Sequence, residues 1–156
     1  RPGGGGGPGE SAGAAGLRLN GYRSALEDAG VPFDPALVAP GEWRRDGGAS
    51  AVAGLLERGI PFDAVFGLND ALALGAMHEL LVRGVKVPNE VAVVGFDDIE
   101  EARFASPSLT SVSPGMDEIA ERSIGLLIDR IDGLEAGAGG VHAEAGFVLK
   151  SRDSAP

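Results

Sequence analysis

Two short stretches carry the polar groups best placed to do chemistry. In "FGLND", residues 66–70, Asn69 and Asp70 follow an apolar run, and in "VAVVGFDD", residues 91–98, another apolar run stops at Asp97 and Asp98. An amide and a carboxylate together donate to and accept from vicinal hydroxyls, the pattern that a sugar or a nucleoside presents. Each residue also has a plainer role open to it. Asn69 or Asp70 can cap a helix, and Asp98 can terminate a turn. Trp43, the single tryptophan, follows "PGE" in a proline-rich loop, where it can pack in a core or stack on a ring. Arg18 falls inside a helical pattern, by default as a solvated face residue.

Other chemistries find little support. Residues 4–11, "GGGGPGES", have the spacing of a phosphate loop, but Glu10 stands where a lysine should reach the β and γ phosphates, and a carboxylate there repels the ligand. The two histidines, His78 and His142, are far apart and form no H-E-x-x-H pair, so no metal site is expected. His78 is expected on the helix surface beside Glu79. No G-x-S-x-G elbow is present, and the absence of cysteine excludes disulfides, thiolate zinc sites and thiol catalysis. No cofactor is implied, and we expect a binding protein, not an enzyme.

The elements that must position these groups follow from apolar periodicity. "LRLNGYRSALEDAG" sets Leu17, Tyr22, Ala25, Leu26 and Ala29 at helical spacings, with Gly30 as a left-handed stop. "VPFDPALVAPGEW" reads as extended because its three prolines forbid a helix interior. A second helix fits "DGGASAVAGLLERG", where Ala49, Val52, Ala53, Leu55 and Leu56 precede a stop at Gly59. A short strand covers Asp63 to Gly67. A third helix begins at Asn69 or Asp70, with a stripe of Leu72, Leu74, Met77, Leu80 and Leu81 and an end at Gly84. The strand Val91 to Phe96 comes next, then a short strand in "SPSLTSV". The helix "PGMDEIAERSIGLLIDRIDG" follows, with Pro114, Asp117 and Glu118 at its start and Gly133 past its end. "EAGAGG" reads as a flexible break and "EAGFVLK" as a final strand. Strands alternating with such helices imply βαβ units, hence an α/β fold whose parallel sheet is flanked by helices and buried on both faces. In such sheets ligands bind outside the carboxyl ends of the strands, which is where Asn69 and Asp97 are delivered.

Composition bounds the rest. At 156 residues and 44% hydrophobic, the chain suits one packed domain. Half of its 26 glycines fall in the first 48 residues, and residues 1–10 read as a glycine-rich loop or a disordered start. A net charge of −10 argues against broad contact with nucleic acid or an anionic membrane. No apolar stretch approaches the roughly 20 residues that cross a bilayer, and the start lacks the apolar core of a secretory signal, so the cytoplasm is the expected compartment.

"RLNGYRSAL", "GEW", "FDAVFGLNDALALGAMHELLVRGVKVPNEVAVVGFDD" and "SPSLTSV", in this order, resemble the effector-binding core of the LacI/GalR family of bacterial transcription regulators, from residue 7 to about residue 152. That resemblance implies a periplasmic-binding-protein-like type I fold: two α/β lobes hinged about a cleft, with this chain forming mainly the C-terminal lobe. It implies residues 11–112 in that lobe, residues 113–133 as a helix crossing toward the N-terminal lobe, and residues 134–156 as the flexible break, final strand and tail. It matches Arg18 to an arginine that contacts the effector, Trp43 to an aromatic lining the pocket, Asn69 to a polar ligand contact and Asp97 to the carboxylate that binds effector hydroxyls or amides. Asp98 is left as a turn residue. Pro114 and Met116 depart from the family's often polar or aromatic residues. The implied function is effector binding and dimerisation in a sugar-responsive repressor. Its implied partners are a sugar or nucleoside, a second copy of the chain, and DNA through a headpiece that we expect a core truncated at its N-terminus to lack. A periplasmic sugar-binding protein of a transport system is the alternative.

Overall fold

A computed structural model describes residues 13–133 and 144–156. The expected glycine-rich start and the expected break at residues 135–140 lie outside them. The elements run α1 (Ala14–Asp28), a 3-10 turn (Pro35–Leu37), α2 (Arg45–Glu57), β1 (Ala64–Phe66), α3 (Asp70–Val82), β2 (Ala92–Phe96), α4 (Glu100–Phe104), β3 (Thr110–Ser113), α5 (Met116–Ile131) and β4 (Val148–Lys150). Every element expected in these residues is present, and glycines at expected stops, Gly30 and Gly84 among them, take φ of 67° and 81°. The short helix α4 and the 3-10 turn were not expected: each is too brief to show a period.

Among the described residues the strands form one sheet in the order β1-β2-β3-β4. The first three are parallel, with Phe66 beside Val94 and Val94 beside Thr110, while β4 runs antiparallel to β3. The core lies on one face, where Val93 and Leu109 meet Val52 of α2 and Ala73, Ala76, Met77 and Leu80 of α3, all buried.

The expectation of burial on both faces needs correction. In β2 the exposure alternates, with Val93 and Gly95 buried and Ala92, Val94 and Phe96 half-buried, because α3 covers one side fully and α1 reaches the other only near the strand's C-terminal end. The buried stripe of α3 shares only Met77 and Leu80 with the expected one. Small residues Ala73 and Ala76 join Met77 and Leu80 inside, while Leu81 is 39% exposed, since Gly95, whose added Cβ would sit 3.2 Å from that of Ala73, lets α3 approach on its small-residue side. In α1 no residue is fully buried and Leu17 is exposed.

Two glycines explain how α2 reaches α3. A Cβ on Gly48 would sit 2.0 Å from the Leu72 carbonyl oxygen, and one on Gly75 would sit 1.8 Å from that of Arg45. The two helix backbones therefore touch, which fixes the start of α2 and with it the loop that carries Trp43.

Candidate functional site

β1 and β2 end at the same edge of the sheet. The Gly67 N–H donates to the Val94 carbonyl at 2.8 Å, and the Asp97 N–H continues the ladder to the Val112 carbonyl at 2.9 Å. Above this edge lies Arg18, projecting from the first turns of α1. Its guanidinium donates to the Leu68 carbonyl at 2.5 Å and to Asp97 Oδ1 at 3.2 Å. Its central carbon is 3.8 Å from the centre of the Phe96 ring and 5.5 Å from that of Trp43. A flat cation is held between two π faces and a carboxylate, and the partial exposure of Trp43 and Asp97 leaves their outer surfaces free for another molecule.

Arg18, Trp43 and Asp97 thus meet, with the arginine at the centre. Asn69 stands next to Leu68 at the same edge, but its side-chain oxygen accepts the Leu72 N–H at 2.8 Å and caps α3. Its capping role is real, and only its amide NH2 is left for other work. Asp70 is wholly buried and takes no part at the surface. Its two oxygens accept from the Ser111 hydroxyl at 2.6 Å and the Ile99 N–H at 2.8 Å. Burial raises its carboxyl above the ordinary range against those two hydrogen bonds, and Asp97 and Asp98 add repulsion in the same direction. His78 is exposed, as expected.

Two consecutive residues depart from ordinary backbone here. Asp97 has φ of 111° and Asp98 of 52°, a left-handed pair that turns the chain sharply at the strand end. Asp98 is the turn residue expected, and it is more besides, because its carboxylate is nearly buried against Arg152 at 2.5 Å.

The sequence reading missed Phe96, Ser111 and Arg152. Strand alternation could have found Phe96, since it must share a face with Ala92 and Val94 and project opposite Val93. Nothing in "KSRDSAP" marks Arg152, whose role needs the tail folded against β3.

Residues 6–154 match the family described as periplasmic binding protein-like domain. The chain belongs to that family. Within the periplasmic binding protein-like family its relatives are transcription regulators of the LacI kind, as the sequence resemblance implied. The HTH-type transcriptional regulator AscG of Escherichia coli (strain K12) is 45% identical over 116 residues, which is 74% of this chain and 34% of AscG. A LacI-type transcription regulator from Bifidobacterium animalis subsp. lactis DSM 10140 superposes with a TM-score of 0.88 at 39% identity, covering 94% of this chain and 52% of that one. The transcriptional regulator CelR in complex with cellobiose superposes with a TM-score of 0.84 at 38% identity, covering 94% and 44%. The chain spans about a third of the length of the curated relatives it matches. No helix among the described residues is long and apolar enough to cross a membrane.

Proposed function

We propose that this chain is the effector-binding and dimerisation part of a sugar-responsive, DNA-binding transcription regulator acting in the cytoplasm, and that Arg18, Trp43, Asn69 and Asp97 contact the effector. The observation that carries the reading is the guanidinium of Arg18 held by Phe96, Trp43 and Asp97 at the C-terminal edge of parallel strands. A pyranose presents hydroxyl edges to charged groups and a C–H face to an aromatic ring. Asp97 accepts from paired hydroxyls, Arg18 and the Asn69 amide donate, and Trp43 supplies the ring. Because Arg18 and Asp97 cancel each other's charge, the site favours a neutral polyol over an anion. The CelR complex with cellobiose supports that ligand class. The regulators among its relatives favour regulation over transport.

Residues 11–112 then form the C-terminal lobe, and 113–133 a helix that crosses toward a second lobe. In support, α5 buries none of its residues and exposes Ile124, Leu127, Ile128 and Ile131. Ligand contacts on both sides of a cleft favour its closed form, and closure changes the separation of two DNA-reading heads in a dimer. No step of bond making is required of any residue.

The test is calorimetry with neutral mono- and disaccharides, cellobiose among them, and with nucleosides. Asp97→Ala and Arg18→Ala are expected to weaken a genuine ligand at least tenfold while circular dichroism stays unchanged, about the 1.5–3 kcal/mol of a hydrogen bond to a charged group. Unchanged affinity in Asp97→Ala overturns the site, and binding of nucleosides with no neutral saccharide among the ligands overturns the effector class.

A further inference from the structure

The left-handed pair Asp97 and Asp98 is costly for residues with side chains, so something must hold it. Three contacts do, two of them through Asp70. The Asp98 N–H donates to the Ser111 hydroxyl at 3.0 Å, and the hydroxyl in turn donates to Asp70. The Ile99 N–H donates to the other oxygen of Asp70. From the opposite side Arg152 donates to Asp98 Oδ1 at 2.5 Å and, through its second nitrogen, to the Leu109 carbonyl at 2.6 Å.

Arg152 comes from a tail that is itself inserted into the sheet. Ser154 is completely buried. Its N–H donates to the Ser108 carbonyl and its carbonyl accepts from the Val93 N–H, both at 2.9 Å, while its hydroxyl donates to the Val93 carbonyl at 2.6 Å and accepts the Thr110 N–H at 2.9 Å. The Arg152 N–H donates to the Thr110 hydroxyl at 2.7 Å. The tail therefore fixes the backbone of Arg152 at the start of β3, and the guanidinium fork spans from there to the turn after β2. At side-chain exposures of 15% and 7%, the Arg152–Asp98 pair is shielded from water, where removing one partner strands the other charge.

We propose that Arg152 is a positioning residue for the effector site: anchored by the C-terminal tail, it clamps Asp98 and so holds the neighbouring Asp97 in the left-handed backbone that presents its carboxylate to Arg18. The proposal deepens the effector-site reading and rests on it for the purpose of the clamp, though not for the clamp itself. The tail and the sugar-binding edge are then one mechanical unit, although Arg152 touches neither Arg18 nor Trp43 among the described contacts.

The test compares Arg152→Met with Asp153→Asn, which alters an exposed contact of the tail with Ser108 and leaves the buried Ser154 anchor and Asp98 in place, and with Arg152→Lys, which restores the charge but not the two-pronged fork. Two readouts need no ligand. One is amide exchange at Asp98 relative to Ala92, whose N–H bonds the Asp63 carbonyl at the far end of β2. The other is the emission of Trp43, the only tryptophan. Arg152→Met is expected to speed Asp98 exchange about tenfold over Ala92, the size of one lost charged hydrogen bond, and to shift Trp43 emission. Arg152→Lys should recover part of both, and Asp153→Asn should change neither. Equal exchange at the two amides and unshifted emission in Arg152→Met overturn the proposal, as does an equal response in Asp153→Asn. If Arg152→Met does not fold, Asp98→Asn, which keeps the shape and removes the charge, is held to the same expectations.

Cellobiose titration separates this proposal from the effector reading. A wild-type chain that binds cellobiose while Arg152→Met binds it equally well sinks the clamp and leaves the site. An affinity for cellobiose that Asp97→Ala leaves unchanged, with the exchange and emission changes of Arg152→Met present, leaves the clamp and sinks the site.

Discussion

The guanidinium carbon of Arg18, on α1, stands 3.8 Å from the centre of the ring of Phe96, on β2, although the two residues lie 78 positions apart in the chain. The stack turns Arg18 from a mobile surface cation into a fixed donor, since the same guanidinium is also held by the Leu68 carbonyl and Asp97. A double-mutant cycle of Phe96→Leu and Arg18→Met should therefore give a coupling of about 0.5–2 kcal/mol in unfolding free energy. Strict additivity in denaturant titrations would mean that the stack contributes nothing.

The touching backbones of α2 and α3 leave no room for a methyl group. Gly75→Ala must push the Arg45 carbonyl away from a contact of 1.8 Å, so we expect a loss of about 1–3 kcal/mol in stability together with a changed Trp43 emission. Gly21→Ala, in open space on α1, serves as the control and should be neutral or stabilising. A Gly75→Ala chain as stable as the wild type refutes the close approach.

Asp70 should make stability fall as pH rises. Burial holds its carboxyl above the ordinary value of 3.8, so between that value and its folded pKa the native state binds more protons than the unfolded one, and stability is lost as pH rises through the window. Asp70→Asn can keep both hydrogen bonds, the Asn oxygen accepting from Ile99 and its NH2 donating to Ser111. Denaturant titrations from pH 3 upward should show wild type losing ground to Asp70→Asn. A constant difference across that range would contradict the assignment.

Asp153 should act in the opposite sense. Its carboxylate accepts from both the hydroxyl and the N–H of Ser108, which lowers its pKa below 3.8. The stability it adds is present above that value and disappears as pH falls through the folded pKa. Asp153→Asn should flatten the acid limb of the stability curve by lowering stability at neutral pH, with wild type and variant converging in acid. An acid limb of unaltered slope would refute it.

Periodicity and stop signals in the sequence determined the elements from α1 to β4 other than the 3-10 turn and α4, because a longer helix or a bounded apolar run shows its period and those two are too brief to show one. The same local logic placed Asn69 and Asp97 at strand ends on one sheet edge. Only the tertiary structure decided what these residues do there. Asn69 is spent largely on its cap, Arg18 acquires Phe96 as a floor, and the second aspartate of "VAVVGFDD" finds Arg152 from the tail. Each of those contacts joins segments far apart in the chain, and pairing at such range depends on strand order and register. Hydrophobic spacing fixes which face a residue occupies, but it carries no information about which distant residue will stand opposite.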